Sequence, residues 1–255
     1  EKIAKVVCGL KDPNPLVAGQ GFEILKSVGI DVDLDTDFGK AYEEIAEVFL
    51  WNMRNKKPFI TLKVACSEDG YMTNAEGVSQ WITNEASRFE ARQLRAHHDG
   101  TLIGAGTLIK DDPILNFRET QFSDKKNKIV IWDPKAKSFD FLKTSRLLKE
   151  HSRDNIFIIS PKSHLDFQVY SSKDIDEGAL NWLYDNGIYS LFVEGGAHVF
   201  QQFFNPVRFQ RLYVFRAPKT FGGGLLWDGG ASAGLALQKS WEREIQGDIL
   251  SSYTP

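Results

Sequence analysis

The sequence predicts an α/β protein whose mostly parallel sheet is covered by helices on both faces. Three observations predict this class. Apolar runs of strand length recur along the chain, helical patterns fill several of the gaps between them, and one apolar run passes through two glycines into an amphipathic helix. The tail, "SWEREIQGDILSSYTP", alternates more simply, which is typical of an antiparallel hairpin at a sheet edge.

Composition narrows the function classes. The 255 residues are 42% hydrophobic and 25% charged, which suits a packed core in one large domain or two smaller ones. A net charge of -3 without a long basic run argues against a broad nucleic-acid-binding face. We find no apolar stretch of membrane-spanning length and no signal-peptide pattern, so we expect no membrane partner and a cytoplasmic location. Cys8 and Cys66 form neither a zinc pattern nor a disulfide framework.

The first part of the chain predicts a small β-α-β unit of its own. "KIAKVVCGL" is typical of a buried strand. A helical face follows, and the pattern of residues 30–34 predicts a second strand. A single further helix is predicted over 36–53. The charged break "RNKKP" then places a boundary, so we expect domains at 1–54 and 55–255.

A second series of elements follows this break. Strands are predicted from "PFITLKVACS" onward and at 101–105, 128–132, 155–159, 188–194 and 209–215. Helices are predicted at 84–97 and 176–186, and again after residue 196.

The stretch "LFVEGGAHVFQQFF" (191–204) predicts a strand, a tight turn and a helix. Glycine lets the backbone approach a ligand, and the first amides of a helix attract anions, so Gly195 and Gly196 are compatible with a pyrophosphate site. A sharp turn without a ligand is the alternative. Glu194 ends the strand, where a carboxylate can orient a hydroxyl or move a proton, or simply cap the next helix.

Several other polar residues are candidates for the same site. Lys63 interrupts an apolar strand, where a charge is costly unless it is paired or lines a cleft; an edge strand in solvent is the alternative. Arg95 and Arg118 could clamp a phosphate, or could form surface ion pairs with Asp111 and Asp112.

Ser79 could donate to the same phosphate, and Trp81 could stack on a ring or belong to the core. No spacing of His97, His98 or His198 suggests metal ligands.

Four blocks carry a family resemblance: "FITLKVACSEDGYMTNAEGVSQWIT", "QLRA", "GTLIGAGTLIKDDPILNFR" and "FVEGGAHVFQQFF". In this order they resemble the reductase domain of the bifunctional riboflavin biosynthesis (RibD) family, over about residues 58–255. The resemblance implies a dihydrofolate reductase-like fold. It also implies NADPH-dependent reduction of the ribosyl side chain of 5-amino-6-(5-phosphoribosylamino)uracil to ribityl.

"VVCGLKDPNPLVAGQGFEILKSVGIDVD" is similar to the end of that family's zinc-dependent, cytidine deaminase-like α/β domain. The His-x-Glu and Pro-Cys-x-x-Cys motifs that such a deaminase needs for its zinc ion do not occur in the chain. We therefore expect a partial deaminase segment, no bound metal and no deaminase activity.

The resemblance also implies site residues and partners. Lys63 and Glu194 would position the sugar and assist proton movement. The implied substrate contacts are Ser79, Arg95, Leu115, Arg118 and Glu194. The implied nicotinamide-cofactor contacts are Ala65, Trp81, Thr107, Asp111, Gly195, Gly196, Ala197, His198 and Val199. A phosphorylated pyrimidine substrate and a homodimer are expected.

Two departures from the family pattern bear on the cofactor. Asp133 follows the strand "KIVIW" where the family often has a serine or threonine near the adenosine 2′-phosphate. A carboxylate there would repel this phosphate, so NADH becomes possible beside NADPH. Ala197-His198 stands where Pro-Thr is frequent. The alternatives are a reductase of another pterin or pyrimidine, and a non-catalytic nucleotide-binding subunit.

Overall fold

A computed structural model describes residues 3–78, 82–118, 120–229 and 234–255. Contacts between Cα atoms divide the chain into two units, Glu1–Pro58 and Phe59–Pro255.

The first unit begins with the predicted β-α-β arrangement, but its first strand, predicted to be buried, is exposed or half-buried at each position. Its elements are β1 (Lys5–Cys8), α1 (Gln20–Ser27), β2 (Asp31–Leu34), α2 (Thr36–Ile45) and α3 (Glu47–Asn55). Strands β1 and β2 pair in parallel, as a β-α-β unit requires. The helix predicted over 36–53 is two helices, because the backbone of Ala46 leaves helical geometry at φ -102° and ψ 17°. Helix α3 runs through the predicted boundary after residue 54 and ends at Asn55.

The second unit alternates strands and helices. Its elements are β3 (Phe59–Ser67), α4 (Glu85–Ala96), β4 (Gly100–Gly104), α5 (Ala105–Asp111), β5 (Lys128–Trp132), α6 (Ser138–Leu142), α7 (Arg146–Glu150), β6 (Ile156–Ser160), β7 (Gln168–Ser171), α8 (Glu177–Asp185), β8 (Ser190–Glu194), α9 (Ala197–Phe204), β9 (Arg211–Ala217), β10 (Gln238–Ile245) and β11 (Asp248–Thr254).

Within the described residues these strands form one sheet in the order β10-β11-β9-β3-β8-β4-β5-β6-β7. Every neighbouring pair from β9 to β7 is parallel. Among the named strands of the described ranges, only the pairs β10–β11 and β11–β9 are antiparallel, so the mostly parallel sheet and the C-terminal hairpin are both confirmed. Because parallel strands end at the same edge, the carboxyl ends of β3, β8, β4 and β5 lie side by side.

Strand residues alternate between two apolar layers, one on each face of the sheet. Val130 of β5 and Phe157 of β6 pack in the layer that contains α8 and α9. Their neighbours Ile131 and Ile158 pack on the opposite face with α5, α6 and α7. Helices therefore cover both faces, as predicted. No helix in the described ranges combines the length and the apolar character that a bilayer crossing needs.

Candidate active site

A cleft with two adjoining lobes lies at the carboxyl ends of the central strands. The smaller lobe has a volume of about 440 Å³ and the larger one about 1000 Å³. Both lobes share the lining residues Lys63, Ala65, Ile82, Arg95, Asp111, Pro113, Leu115 and Glu194. Residues at this junction face both lobes, so a molecule in one lobe can meet a molecule in the other.

Two central strands place Lys63 and Glu194 at this junction. Strand β3 lies between β9 and β8, so Lys63 is not on an edge strand and the solvent-exposed alternative is wrong. Lys63 and Glu194 are register partners on β3 and β8. Strand register therefore places the two residues side by side at the junction.

Glu194 forms an ion pair rather than a helix cap. Its Oε2 accepts from Nη2 of Arg95 at 2.7 Å, and the two side chains are only 16% and 13% exposed. No side chain among the described residues caps α9. Arg95 also donates from Nη1 to the Asn116 carbonyl at 3.4 Å. The ion pair with Glu194 replaces the pairs with Asp111 or Asp112 that sequence reasoning left open for Arg95.

The surroundings of Lys63 make its ammonium group easier to deprotonate than that of an exposed lysine. Burial lowers the pKa of its ammonium group below the ordinary value, the negative charge of Glu194 raises it, and the positive charge of Arg95 lowers it. Its Nζ also lies 5.7 Å from the centre of the Phe215 ring. A lysine with a lowered pKa exchanges protons more readily at neutral pH than an exposed one.

The smaller lobe is rich in arginine, and this suits an anion. Besides Arg95 and Arg118, it is lined by Arg88, Arg92 and Arg146. Planar guanidinium groups bind phosphate through paired, charge-assisted hydrogen bonds. Leu115, the remaining described residue of the predicted substrate set, is buried here with φ +55°, an uncommon conformation for a residue that has a side chain.

Sequence reasoning missed Arg88, Arg92 and Arg146. Arg88, Arg92 and Arg95 follow one another at helical spacing on α4, a signal that could have indicated a common face. Arg146 at the start of α7 offered no such signal, because only the fold brings it to the lobe.

The larger lobe collects the described members of the predicted cofactor set: Ala65, Thr107, Asp111, Gly195, Gly196, Ala197, His198 and Val199. Ser79 and Trp81, which the resemblance also implied, lie outside the described residues.

The two glycines after Glu194 have different roles. A Cβ added to Gly195 would lie 2.7 Å from Cβ of Val199, so this glycine is required for helix α9 to pack against the end of β8. A Cβ added to Gly196 would meet no atom within 4 Å. Gly195 therefore fits the turn alternative, while Gly196 leaves open space beside the first amides of an eight-residue helix.

Asp133 lines the larger lobe, and its carboxylate is hydrogen-bonded within its own turn. Its carboxylate Oδ2 accepts from both the amide and the hydroxyl of Ser138, each at 2.6 Å, and the residue is 1% exposed. These bonds orient the carboxylate, and the repulsion of a 2′-phosphate by Asp133 stays a prediction. The exposed residues Lys135 and Lys137 also line this end of the larger lobe, and sequence reasoning missed both.

Both ring nitrogens of His98 are hydrogen-bonded within the fold. Nδ1 of His98 lies 2.8 Å from the Leu94 carbonyl and therefore donates, and Nε2 accepts from the Thr61 hydroxyl at 2.8 Å. Burial lowers the pKa of His98 to about 4. No group of three or more His, Cys, Asp or Glu side chains with metal-binding geometry occurs among the described residues.

The fold and this cleft agree with one protein family. Residues 58–250 match the RibD C-terminal domain family, and the chain belongs to that family. It is similar to the riboflavin biosynthesis protein RibD of Bacillus amyloliquefaciens, with 34% identity over 236 residues. The RibD protein of Aquifex aeolicus is 33% identical over 232 residues. Each alignment covers 88% of this chain, which spans 62% and 64% of the two relatives.

Solved structures are similar over a comparable length. A Thermotoga maritima protein described as a diaminohydroxyphosphoribosylaminopyrimidine deaminase/5-amino-6-(5-phosphoribosylamino)uracil reductase is 29% identical with a TM-score of 0.83, covering 99% of this chain and 72% of that one. The riboflavin biosynthesis reductase Rib7 of Saccharomyces cerevisiae is 19% identical with a TM-score of 0.59, covering 84% and 98%. At that identity Rib7 supports the shared fold alone.

Proposed function

We propose that this chain reduces the ribosyl side chain of 5-amino-6-(5-phosphoribosylamino)uracil to the ribityl product in riboflavin biosynthesis, with NADPH as the reductant. The observation that carries the proposal is the two-lobed cleft. An arginine-rich lobe suited to a sugar phosphate adjoins a lobe with a glycine beside helix amides, and Lys63 and Glu194 lie where the lobes meet. The name of the Thermotoga protein supports the same substrate.

The larger lobe has the size and the groups that a nicotinamide cofactor requires. About 1000 Å³ is at the upper end of the range for small-molecule and cofactor sites. Gly196 leaves space beside the first amides of α9 for a pyrophosphate, and residues such as Ala65, Ile82 and Ile103 offer an apolar wall for a ring. The cofactor would supply the hydride, and the protein would supply binding, orientation and electrostatics.

The proposed reaction opens the sugar ring. The bond between C1′ and O4′ breaks, one hydride adds to C1′, and one proton ends on O4′. The arginines of the smaller lobe would hold the 5′-phosphate, which fixes the distance of C1′ from the junction of the lobes. Lys63 and Glu194 would orient the sugar hydroxyls and move the proton, and the lowered pKa of Lys63 suits that step.

NADPH oxidation with the phosphorylated substrate tests this proposal. We expect absorbance loss at 340 nm only when both are present, and a Lys63→Met variant that still binds NADPH but turns over at least about a hundredfold more slowly. The dephosphorylated substrate should need a much higher concentration. A chain that binds NADPH tightly without oxidising it would instead be a nucleotide-binding subunit.

The preference for NADPH over NADH can be tested at Lys135 and Lys137. Both are exposed and line the larger lobe, and two positive charges suit the additional phosphate of NADPH. We expect the Lys135→Ala/Lys137→Ala double variant to lower the ratio of kcat/KM for NADPH to that for NADH by roughly five- to thirtyfold. Lys149→Ala, an exposed lysine of α7 outside the lobe lining, is the matched control. An unchanged ratio would show that these lysines do not contact the cofactor.

Two further properties remain predictions. A homodimer can be checked by the mass of the chain in solution. The assignment of the first unit as a partial deaminase segment without deaminase activity can be checked by a deamination assay with added zinc.

A further inference from the structure

A glycine-rich segment contributes one residue, Leu225, to the lining of the larger lobe. It runs from Phe221 to Trp227, and Leu225 within it lines the lobe together with Met72 and Thr73 from the loop after β3. Backbone hydrogen bonds join the two loops: the Met72 amide donates to the Leu225 carbonyl at 2.7 Å, and the Trp227 amide donates to the Gly70 carbonyl at 2.8 Å.

One carboxylate holds the beginning of this segment. Oδ2 of Asp69 accepts from the Gly222 amide at 2.8 Å, and both of its oxygens lie 3.1 Å from the Phe221 amide. The Ser67 hydroxyl donates to Oδ1 at 2.5 Å and orients the carboxylate. These bonds lower the pKa of Asp69 below its ordinary value, with the bond from Ser67 as the largest cause, so the acceptor stays charged at neutral pH.

The other end of the segment is held by apolar packing. The ring of Trp227 lies 5.7 Å from that of Phe200 and 5.6 Å from that of Phe204, both on helix α9. Between the two anchors the backbone passes very close to the neighbouring loop. A Cβ at Gly224, where φ is +128°, would lie 2.0 Å from the Thr73 carbonyl oxygen. Gly224 therefore allows the segment to lie against the loop, and the Asp69 carboxylate binds the amides at its beginning.

We infer that Asp69 is a positioning residue, which fixes the segment 221–225 so that Leu225 closes the wall of the cofactor lobe. The identity of the ligand rests on the proposed function. The hydrogen bonds of Asp69 to the amides of Phe221 and Gly222, called the clasp below, do not depend on that function. The smaller lobe has no lining residue from this segment, so loss of the clasp affects one lobe and spares the other.

Three variants test the inference. Asp69→Ala removes the acceptor, and Asp69→Asn keeps one carbonyl oxygen for the amides. Thr73→Val removes the hydroxyl that accepts from the Leu225 amide at 3.0 Å, a second and independent contact of the segment. Asp140→Ala is the matched control, because Asp140 is an exposed carboxylate whose partner is Lys143 on the surface.

Amide hydrogen exchange in the ligand-free chain is the first measurement. We expect exchange at 221–225 to accelerate about tenfold in Asp69→Ala, by less in Asp69→Asn, and not at all in Asp140→Ala. Amides of the central strands β4 and β5 should keep their protection. Unchanged exchange at 221–225, or an equal acceleration in β4 and β5, would overturn the inference.

Binding separates a positioning role from a purely structural one. In Asp69→Ala we expect the dissociation constant for NADPH, followed by nicotinamide fluorescence, to rise roughly five- to tenfold. Because Thr73 itself lines the larger lobe, Thr73→Val is judged by faster exchange of the Leu225 amide alone. The KM for the phosphorylated substrate should change less than about twofold. Faster exchange with unaltered NADPH affinity would reject the positioning role. A wild-type chain without NADPH turnover would instead reject the proposed function, and the exchange data would still decide the clasp.

Discussion

Replacing Glu194 by glutamine is the most informative single perturbation of the proposed site. The change keeps the shape of the side chain and removes its charge. In the structure that charge has two neighbours, because Glu194 accepts from Arg95 at 2.7 Å and raises the pKa of Lys63. The variant should therefore have two separable effects, one on stability and one on catalysis.

The stability effect comes from Arg95. Glutamine can still accept one hydrogen bond from Nη2, so an ion-paired bond becomes a bond from a cation to a neutral acceptor, at a guanidinium that is 13% exposed. The difference between such bonds is about 1–2 kcal/mol, which corresponds to a fall in Tm of roughly 2–8 °C for a chain of this size. A lower Tm alone consequently does not separate a catalytic carboxylate from a structural one.

The catalytic effect is larger and distinguishes the two roles. A carboxylate that orients the sugar hydroxyls or moves a proton contributes in the transition state, and general acid–base groups are typically worth about 10²–10⁴ in rate. We expect kcat/KM to fall at least tenfold while the affinity for NADPH stays within about twofold. Steady-state kinetics, NADPH titration and thermal melting of the same preparation measure the three quantities. Turnover within twofold of wild type, with a lower Tm, would refute the catalytic role of Glu194.

Lys63 provides an internal check on this reasoning. Loss of the negative charge at Glu194 should lower the pKa of Lys63 further, whereas Arg95→Gln removes a positive charge and should raise it. The limb of the pH–rate profile that reports Lys63 should therefore move to lower pH in the first variant and to higher pH in the second. If this limb moved in the same direction in both variants, the profile would report a group other than Lys63.

Three further outcomes are expected. His98 has a pKa of about 4 in the fold against an ordinary value of 6.5, so its contribution to stability is complete above pH 6.5 and is lost as the pH falls toward 4. Urea unfolding should show a loss of about 2 kcal/mol from this group between pH 7 and pH 5 that is missing in His98→Gln. Gly195→Ala should destabilise the fold by about 1–3 kcal/mol through its contact with Val199. Gly196→Ala should leave the Tm unchanged and weaken NADPH binding. Equal melting curves for the two variants would contradict this contrast. Arg118→Ala should raise the KM for the phosphorylated substrate about tenfold without changing that for NADPH. The opposite pattern would mean that Arg118 contacts the molecule in the larger lobe.

Local pattern was sufficient for the buried strands. "KIVIW" is apolar at four successive positions, and the strand predicted at 128–132 is strand β5 with the same bounds. Strand β7, "QVYS", escaped prediction because it is four residues long, half-buried and at the sheet edge, so its hydrogen bonds to β6 rather than its own pattern define it. The helix break at Ala46 was missed because the apolar spacing continues through it.

The site also contains residues that local sequence indicates and contacts that only the fold creates. Lys63 was identifiable because a charge in an apolar strand needs an explanation, and Glu194 because it ends a strand before a glycine turn. The ion pair of Glu194 with Arg95, and the bonds of Asp69 to the glycine-rich segment, join residues far apart in the chain. No local pattern encodes those contacts, because they exist only after the sheet has brought α4 and the two loops together.

At the junction of the lobes, the negative charge of Glu194 lowers the cost of burying two neighbouring cationic side chains. A lysine, an arginine and a glutamate lie in a poorly solvated cleft, where any one of them alone would be strongly destabilising. Strand register places Lys63 beside Glu194, and helix α4 brings Arg95 to the same carboxylate. Arg95 neutralises Glu194 and, being positive itself, keeps the pKa of Lys63 low. If Lys63 moves the proton in the proposed reaction, Arg95 has a role besides phosphate binding, because it sets the ease with which Lys63 gives up its proton. Arg95→Gln should therefore alter the pH dependence of kcat, which a residue that only binds the substrate phosphate would leave unchanged.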